Sequence, residues 1–264
     1  MIGFNNLGFL GRLGNQMFQY AATKGMAAHH GYELVIPKHD QKVKDPYGFE
    51  LKIDIHTPFK MESLDRIGVL RGVLEVNERM FTFDEELFDM VPDNTSLAGY
   101  FQTEKYFKHI KDDVKKDFTF YDEILNPCKE MMEGVGDAIS LHVRRTDYTA
   151  NPNHAALDLS YYEEALKRMP KDLPVVIFSD DTTWCQEQEI FSGDRFMVSE
   201  SGDQYVDLCL MTLCKYHINA NSSFSWWGSW LADSKKVTAP SKWFGPGLEH
   251  QDTKDIYAEG WEVI

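Results

Sequence analysis

The sequence predicts an α/β protein whose second half folds into a Rossmann-like parallel sheet. Segments with the period of strands alternate along the chain with segments that have the period of helices. In the second half, these strand-helix units recur at the spacing of right-handed crossovers between parallel strands. The 264 residues, 43% of them apolar and 13% aromatic, suffice for two domains that each bury a core.

The N-terminal half begins with an apolar, glycine-containing run that leads into a helical pattern. A short strand then ends at Pro37, which lacks the N–H group needed to continue a sheet ladder. The pairing order within residues 40–95 cannot be inferred. The predicted elements are strands over 2–10, 34–36 and 96–100, and helices over 17–28, 84–89, 104–118 and 121–132.

A break that contains Gly134 and Gly136 follows the last of these helices. We place the domain boundary there, with one domain over residues 1–135 and the other over residues 136–264.

The second half has the clearer pattern. Trp226 and Trp230 lie four residues apart on one helical face and are expected in the core, with Gly228 permitting close approach of a strand. Acidic residues in the first turn of the helix over 160–168 suit the positive end of its dipole. The predicted strands are 138–143, 174–178, 195–198, 217–220 and 236–239, and the predicted helices are 160–168, 182–189, 204–215 and 223–232.

Three strand-to-helix corners in this half carry polar side chains. Parallel strands end at one edge of the sheet, where open α/β proteins bind ligands, so we expect the three corners to lie at a common edge. The first carries His142, Arg144, Arg145 and Asp147, the second Asp180 and Asp181, and the third Asn221, Ser222 and Ser223.

The first corner is the most informative. Because side chains alternate along a strand, His142 and Arg144 are expected on one side and Arg145 on the other. Arg144 could then present its planar, permanently charged guanidinium to phosphate oxygens, while Arg145 forms an internal ion pair with Asp147. A purely structural salt-bridge cluster explains the same residues, so both interpretations stay open at this point.

The other two corners also have two interpretations. Asp180 and Asp181 suit a helix N-cap and a first-turn acid, and Asn221 and Ser222 are equally good capping residues. A helix N-terminus with free amides and small hydroxyl side chains can also hold phosphate. A carboxylate nearby can accept the paired N–H donors of a guanine ring.

Charge and cysteine usage exclude several classes of protein. With 27 Lys plus Arg against 42 Asp plus Glu, the formal net charge of -15 repels nucleic acid and anionic membranes. The four cysteines lack zinc-ligand spacing and are expected to be reduced core thiols, and no metal-binding pattern occurs at a strand end. Since neither a secretion signal nor a membrane-spanning apolar run is present, we expect a soluble, cytoplasmic protein without stable membrane insertion.

Four motifs together resemble the α1,2-fucosyltransferase family, and they occur in order over most of the chain. They are Gly11-Arg12-Leu13-Gly14-Asn15-Gln16-Met17-Phe18-Gln19-Tyr20-Ala21, His142-Val143-Arg144-Arg145-Thr146-Asp147-Tyr148, Phe178-Ser179-Asp180-Asp181 with Trp184, and Asn221-Ser222-Ser223-Phe224-Ser225-Trp226-Trp227-Gly228-Ser229-Trp230-Leu231.

This resemblance implies an inverting, metal-independent glycosyltransferase without a cofactor. Its donor would be GDP-β-L-fucose and its acceptor a hydroxyl of a galactose-containing glycan. The resemblance also implies a GT-B-like fold, with two Rossmann-like domains facing a cleft and the N-terminal one reduced. The donor would bind in the C-terminal domain and the acceptor toward the N-terminal domain.

The resemblance also assigns roles to individual residues of the second half. Arg144 would grip the diphosphate, and His142 would assist on the phosphate or guanine side. Asp181, with Asp180 as the second choice, would read the base, and Asp147 would hold an arginine in place. The residues expected to donate to the phosphates are Asn221, Ser222 and Ser223.

The N-terminal motif resembles the loop that closes on the donor from the opposite domain. Gly11 and Gly14 permit backbone approach to a ligand. Arg12 could contact phosphate, and Asn15 the fucose or the acceptor hydroxyl. Without the other motifs, a plain glycine turn that opens a helix would explain these residues.

No carboxylate stands out as the general base that an inverting transfer ordinarily uses, so the base stays unassigned. Two alternative functions also remain open. One is a fucosyltransferase of another linkage, either α1,6 transfer or protein O-fucosylation. The other is a non-catalytic module that binds a GDP-sugar or a carbohydrate.

Overall fold

The computed structural model describes residues 1–38, 43–44 and 50–264, which form two compact units. Unit 1 comprises Met1–Tyr121 with Asp252–Ile256, and unit 2 comprises Asp122–Gln251 with Tyr257–Ile264. Each unit has its own parallel sheet together with helices, so the predicted α/β class is confirmed.

The sheet of unit 1 is parallel, and its strand order changes direction between the first and the seventh strand. The order is β5-β2-β1-β7-β6. The described elements are β1 (Ile2–Gly3), α1 (Leu13–His30), β2 (Leu34–Ile36), β3 (Val43–Lys44), β4 (Glu50–Leu51), β5 (Arg66–Ile67), β6 (Leu74–Asn77), α2 (Glu85–Met90), β7 (Thr95–Ala98) and α3 (Lys111–Asp117); β3 and β4 form a separate antiparallel pair.

Two predictions for unit 1 need correction. The apolar run over 2–10 is a strand only as far as Gly3, because turns closed by Leu7 N–H to Phe4 O and Phe9 N–H to Asn6 O follow it. The predicted helix over 104–118 is two short 3-10 turns followed by α3. Within residues 40–95, residues 40–42 and 45–49 lie outside the described part of the chain.

Helix α1 is the central helix of unit 1 and is buried over most of its length. It ends at Gly31, which adopts a left-handed conformation with φ of 68° and so closes the last turn as a C-cap. Gly25 permits the backbone of Tyr106 to pack closely against α1. A Cβ at position 25 would lie 1.9 Å from the carbonyl oxygen of Tyr106. The predicted helix over 104–118 is interrupted just after Tyr106, at Phe107, whose φ of -134° is not helical.

The sheet of unit 2 is also parallel, with the order β10-β9-β8-β11-β12-β13. Its predicted strands are confirmed to within one or two residues, whereas the last strand was not predicted. The elements are α4 (Asp122–Glu133), β8 (Ile139–Val143), α5 (Leu159–Lys167), β9 (Val175–Ser179), α6 (Thr182–Gln186), β10 (Phe196–Val198), α7 (Gln204–Leu213), β11 (Tyr216–Ile218), α8 (Ser223–Leu231), β12 (Lys236–Ala239) and β13 (Glu262–Val263).

Helix α4 belongs to unit 2, so the division of the chain precedes this helix, whereas the sequence placed the boundary after it. The buried side chain of Cys128 on α4 explains the difference, because its Sγ lies 3.8 Å from the carbonyl oxygen of Val206 on α7. Packing of α4 on α7 thus attaches the helix to the C-terminal core.

Helix α8 contributes tryptophans to that core: Trp226 and Trp230 are buried, as predicted, and Trp227 is buried as well. The expectation that Gly228 admits a strand is wrong, because a Cβ at this position would lie 2.9 Å from Met211 Cβ on α7. The four cysteines are buried thiols, as predicted. Within the described residues, no helix is both long enough and apolar enough to cross a membrane.

Candidate active site

The three polar corners of unit 2 are neighbours at the carboxyl edge of its sheet. β8 pairs with β9 on one side and with β11 on the other, all in parallel. The corners that follow these strands therefore lie side by side, as the sequence predicts. The strand order also reverses between β8 and β11, and ligands of open α/β sheets bind at such a reversal.

Arg144 is held between two carboxylates at this edge. Its Nη2 donates to Asp147 Oδ1 at 2.6 Å, and its Nη1 lies 3.2 Å from Asp180 Oδ2 in the neighbouring corner. The Arg144 side chain is 17% exposed. Its planar guanidinium thus has a fixed orientation and still reaches the surface, which suits it to bind an anion.

Arg145 has different partners from those predicted. The expected ion pair with Asp147 is wrong, since Asp147 binds Arg144 instead. Arg145 Nε donates to Asp181 Oδ2 at 3.2 Å, and its guanidinium lies over the ring of Trp184, 3.9 Å from the ring centre. The physical reason is that Asp147 lies on the turn Thr146–Thr149, three residues after Arg144 and within reach of its guanidinium, while Arg145 reaches the carboxylate at the start of α6.

Asp180 connects the first and second corners through three donors of the first. Its carboxylate accepts hydrogen bonds from the backbone N–H of Arg145 at 2.9 Å and from the Thr146 hydroxyl, in addition to its contact with Arg144. Burial alone would raise the pKa of Asp180. The positive charge of Arg144, together with these hydrogen bonds, holds it below its ordinary value.

Asp181 is the N-cap of α6, so a cap is present at this corner but lies one residue later than predicted, since the sequence suggested Asp180 as the cap and Asp181 as a first-turn acid. Its Oδ1 accepts from the backbone N–H of Trp184 at 3.2 Å, and its Oδ2 accepts from Arg145. The side chain is 34% exposed, compared with 20% for Asp180. Asp181 is therefore the more accessible of the two carboxylates.

His142 lies buried at the end of β8 beside the arginine corner. Burial and the neighbouring Arg144 charge lower its pKa well below the ordinary value, and Asp180 opposes this shift only in part. The imidazole is therefore neutral. Its ring centre lies 5.6 Å from that of Phe224, and within the described residues its Nδ1 has no hydrogen-bond partner. A buried polar atom without a partner is unusual and suits an atom that binds a ligand.

The third corner begins α8. Ser222 is its N-cap, because the Ser222 hydroxyl accepts from the backbone N–H of Phe224 at 3.3 Å. Asn221 is not a cap: its Nδ2 donates to the carbonyl oxygens of Ala155 and Trp243, both at 2.9 Å. Asn221 therefore ties the corner to two loops, and Ser223 occupies the first position of the helix.

Two aromatic residues near Arg144, Tyr148 and His154, had no role predicted from the sequence. Tyr148 stacks on His154 with ring centres 4.4 Å apart, and Arg144 lies 5.3 Å from the Tyr148 ring centre. The Tyr148 hydroxyl also donates to the carbonyl oxygen of Asn221 at 3.2 Å. Tyr148 ends the motif that begins at His142, so its position could have suggested a role. No feature of the sequence around His154 suggested one.

The N-terminal motif forms the turn that opens α1 in unit 1. Gly11 has φ of 87°, and a Cβ there would lie 2.0 Å from Asn15 Nδ2, so only glycine leaves room for the Asn15 side chain. Asn15 Oδ1 accepts from Gln102 Nε2 at 2.7 Å. Arg12 is the half-buried N-cap residue, and Gly14 is buried in the first turn.

Two glutamines of the same motif have structural roles that the sequence did not predict. Gln16 donates to the carbonyl oxygen of Lys52 at 2.8 Å and accepts from the backbone N–H of Asp54 at 2.7 Å. Gln19 donates to the carbonyl oxygens of Leu10 and Gly99, at 2.9 and 3.0 Å. Both side chains therefore fix loops around the start of α1.

Acidic, histidine and cysteine side chains do not gather into a metal-binding group of three or more anywhere in the described residues. The positive charge at this corner is that of the Arg144–Arg145 pair. What the corner offers a ligand is thus an oriented guanidinium, a neutral imidazole and the amino terminus of α8.

Comparison with known proteins gives consistent results. A family model described as glycosyl transferase family 11 matches residues 1–264. An α1,2-colitosyltransferase of Escherichia coli is 31% identical, with 96% of this chain and 96% of that protein covered. A galactoside α-(1,2)-fucosyltransferase 2 of Oryctolagus cuniculus is 25% identical, over 92% of this chain and 72% of that protein.

Two solved structures share the fold. The fucosyltransferase NodZ from Bradyrhizobium has a TM-score of 0.56 at 14% identity and covers 88% of this chain and 92% of its own. POFUT1 in complex with GDP-fucose has a TM-score of 0.57 at 13% identity and covers 88% of this chain and 94% of its own. These similarities confirm the predicted GT-B-like fold.

Proposed function

The chain belongs to glycosyl transferase family 11, and from that membership we propose that it is an inverting galactoside α1,2-fucosyltransferase that uses GDP-β-L-fucose. The main observation behind the proposal is the position of Arg144. Its guanidinium has a fixed orientation at the place where the strand order of the unit 2 sheet changes direction, between β8 and β11. The names of the relatives support the reaction class, because they include α1,2-colitosyl and galactoside α1,2-fucosyl transferases.

The donor diphosphate binds at the carboxyl edge of β8 and β11 in this proposal. Arg144 contacts its oxygens, His142 supplies a neutral ring nitrogen beside them, and the Ser222–Ser223 start of α8 supplies backbone amides and hydroxyls. Asn221 acts by holding this corner in place through its two carbonyl contacts. Arg145 and Asp147 are positioning residues.

Asp181 reads the guanine base through its more accessible carboxylate. A carboxylate matches the two adjacent N–H donors of the guanine ring. Asp180 is a less suitable candidate for this role, because three donors of the first corner already surround its oxygens.

During transfer, the acceptor hydroxyl oxygen forms a bond to the anomeric carbon on the face opposite GDP. The bond from that carbon to the β-phosphate oxygen breaks, GDP leaves with the electron pair, and the β-linked donor gives an α-linked product. Negative charge grows on the leaving phosphate, so a guanidinium aimed at it stabilises the transition state more than the ground state. We propose that Arg144 supplies this charge without a metal ion. The hydroxyl proton leaves to a group that we do not assign.

In unit 1, Arg12 and Asn15 contribute to binding of the substrates, and Gly14 permits close backbone approach. The supporting observation is that Gly11 and Asn15 form a tight, half-buried turn at the start of α1, in which Gly14 is buried. Loss of the Arg12 side chain should therefore raise KM for at least one of the two substrates, the donor or the acceptor, while leaving the fold intact.

The direct test is incubation of the purified protein with GDP-fucose and lactose, a β-galactoside, followed by NMR of the product. We expect fucose on the O2 hydroxyl of galactose and equal rates with and without EDTA. An α1,6 linkage, or transfer to a protein hydroxyl alone, would replace the proposed linkage with one of the alternatives. Binding of GDP-fucose without any transfer would identify a non-catalytic module, and inhibition by EDTA would contradict the metal-independent mechanism.

Colitose is a second candidate donor sugar, because the relative at 31% identity is named as a colitosyltransferase. Colitose is L-fucose without the hydroxyl at carbon 3. A site that hydrogen-bonds this hydroxyl rejects the deoxy sugar by about 10⁴-fold, whereas a site without such contacts discriminates weakly. The ratio of kcat/KM for GDP-fucose and GDP-colitose therefore identifies the natural donor.

A further inference from the structure

The carboxyl edge of the unit 1 sheet holds a rigid turn with an exposed aromatic side chain. The strand order of this sheet changes direction between β1 and β7, so ligand binding is expected just beyond these strands. The turn over residues 99–102 directly follows β7. It also contacts the start of α1, because Gln19 Nε2 donates to the Gly99 carbonyl oxygen.

The backbone of this turn is strained. Phe101 has φ of 52°, a left-handed conformation that an aromatic residue rarely adopts. Gly99 has φ of 150°, and a Cβ there would lie 2.4 Å from Glu78 Cβ. Strain of this kind persists when the surroundings determine the conformation, and it is concentrated at functional sites.

Glu78 is the residue that determines this conformation. It follows β6, and its two carboxylate oxygens accept from the backbone N–H groups of Tyr100 and Phe101, each at 2.8 Å. The Phe101 side chain is fully buried, whereas the adjacent Tyr100 is 40% exposed. The turn therefore anchors one aromatic ring in the core and holds the next at the surface.

The same turn also carries a buried amide side chain that is linked to a half-buried one. Gln102, two residues after Tyr100, donates to Asn15 Oδ1 at 2.7 Å. This hydrogen bond joins the turn to the Gly11–Asn15 motif, whose glycine makes room for the Asn15 amide. An exposed aromatic ring on a turn that is hydrogen-bonded to a half-buried amide suits a sugar, which has an apolar C–H face and a rim of hydroxyl groups.

We propose that the Tyr100 ring stacks on the acceptor hexose and that the half-buried Asn15, held in place by the buried Gln102, binds one of its hydroxyl groups. Glu78 acts as a positioning residue that fixes the turn. The inference rests on the proposed function, since it names the acceptor subsite for the same transfer. The face of the Tyr100 ring carries partial negative charge and contacts the weakly positive C–H groups of a β-galactoside. This contact favours binding of a hexose at this turn.

The test is steady-state kinetics of Tyr100→Ala with lactose as acceptor. We expect KM for lactose to rise at least about tenfold, with KM for GDP-fucose and the slow hydrolysis of GDP-fucose without acceptor unchanged. Tyr100→Phe keeps the ring and should behave like wild type. Tyr121→Ala is the matched control, because Tyr121 is also 40% exposed in unit 1 but does not follow β7.

Glu78→Gln tests the positioning role. Glutamine keeps only one acceptor oxygen, so the turn loses one of its two backbone hydrogen bonds, and KM for lactose should rise with KM for GDP-fucose unchanged. Should Tyr100→Ala fold poorly, Tyr100→Leu keeps apolar bulk without the ring and should show the same increase in KM for lactose.

The outcomes separate the two proposals. If wild type transfers fucose to lactose and the Tyr100 variants that lack the ring keep the wild-type KM for lactose, the subsite is overturned while the proposed function stands. If wild type transfers nothing to any β-galactoside, the proposed function fails first. In that case, equal lactose binding by wild type and Tyr100→Ala in saturation-transfer NMR overturns the subsite independently.

Discussion

The guanidinium carbon of Arg145 lies 3.9 Å from the centre of the Trp184 ring, although the two residues belong to different strand-to-helix corners. The same guanidinium is paired with Asp181. Trp184 therefore supports, through Arg145, the carboxylate that we propose to read the guanine base. A cation over an indole ring contributes about 0.5–2 kcal/mol, depending on how far it is desolvated.

We predict that Trp184→Ala weakens donor binding rather than the chemical step. Without the ring, Arg145 gains freedom and Asp181 loses its fixed partner, so KM for GDP-fucose should rise about three- to thirtyfold, with kcat changed much less. Trp184→Phe retains a ring face and should show a smaller effect. Steady-state kinetics at saturating lactose measure both constants, and a fall in kcat alone would contradict this role.

Arg144 is predicted to act mainly in the transition state. Arg144→Ala should lower kcat about a hundred- to a thousandfold, the usual effect of losing one preorganised group aimed at a developing charge. Arg144→Lys should recover little, since an ammonium cannot contact Asp147, Asp180 and phosphate with the geometry of a planar fork.

The matched control for Arg144 is Arg168→Ala. Arg168 also lies between two carboxylates of unit 2, those of Glu164 and Glu262, but it follows α5 at the opposite edge of the sheet. Its loss should leave kcat unchanged. Single-turnover rates with lactose give the comparison, and equal losses in the two variants would show that only the fold had been weakened.

The location of the donor corner could be predicted from the sequence because it depends on local pattern. Short apolar runs followed by helical segments predict parallel strands, and parallel strands end at one edge. The ion pairs within the corner could not be predicted, because they depend on which strands are adjacent. Asp180 reaches Arg144 only because β9 lies beside β8, and sequence spacing alone suggested the wrong partner for Asp147.

The turn that we propose for the acceptor was not predicted for a related reason. Glu78, Tyr100 and Asn15 are far apart in the sequence and meet only through the strand order of unit 1. The left-handed conformation of Phe101 has no signal in the sequence, because it is imposed by backbone hydrogen bonds that the Glu78 carboxylate accepts rather than by a glycine. Long-range contacts of this kind require the structure.

Acid should destabilise the arginine corner through Asp180. Its pKa in the folded protein lies below the ordinary value of 3.8, so its contribution to the free energy of unfolding is fully present above that value. The contribution is lost as the pH falls through the folded-state pKa. Urea unfolding of wild type and Asp180→Asn should therefore differ at pH 7, and the difference should begin to shrink as the pH falls below about 3.8. A difference that stays constant with pH would show that Asp180 contributes nothing through its charge.

Asp117 is a buried carboxylate in unit 1. We predict that its substitution lowers the stability of the fold strongly without a direct effect on the transfer reaction. Asp117 accepts hydrogen bonds from Lys24, from the Tyr20 hydroxyl at 2.6 Å and from the Ser63 backbone N–H at 2.8 Å. Asp117→Asn places an amide donor among these donors and leaves the buried Lys24 charge unpaired, so the free energy of unfolding should fall by about 3–5 kcal/mol. Asp112→Asn, an exposed change on the same helix α3, should cost less than about 0.5 kcal/mol. Urea unfolding of both variants gives the comparison, and equal stabilities would mean that Lys24 and Asp117 are not coupled.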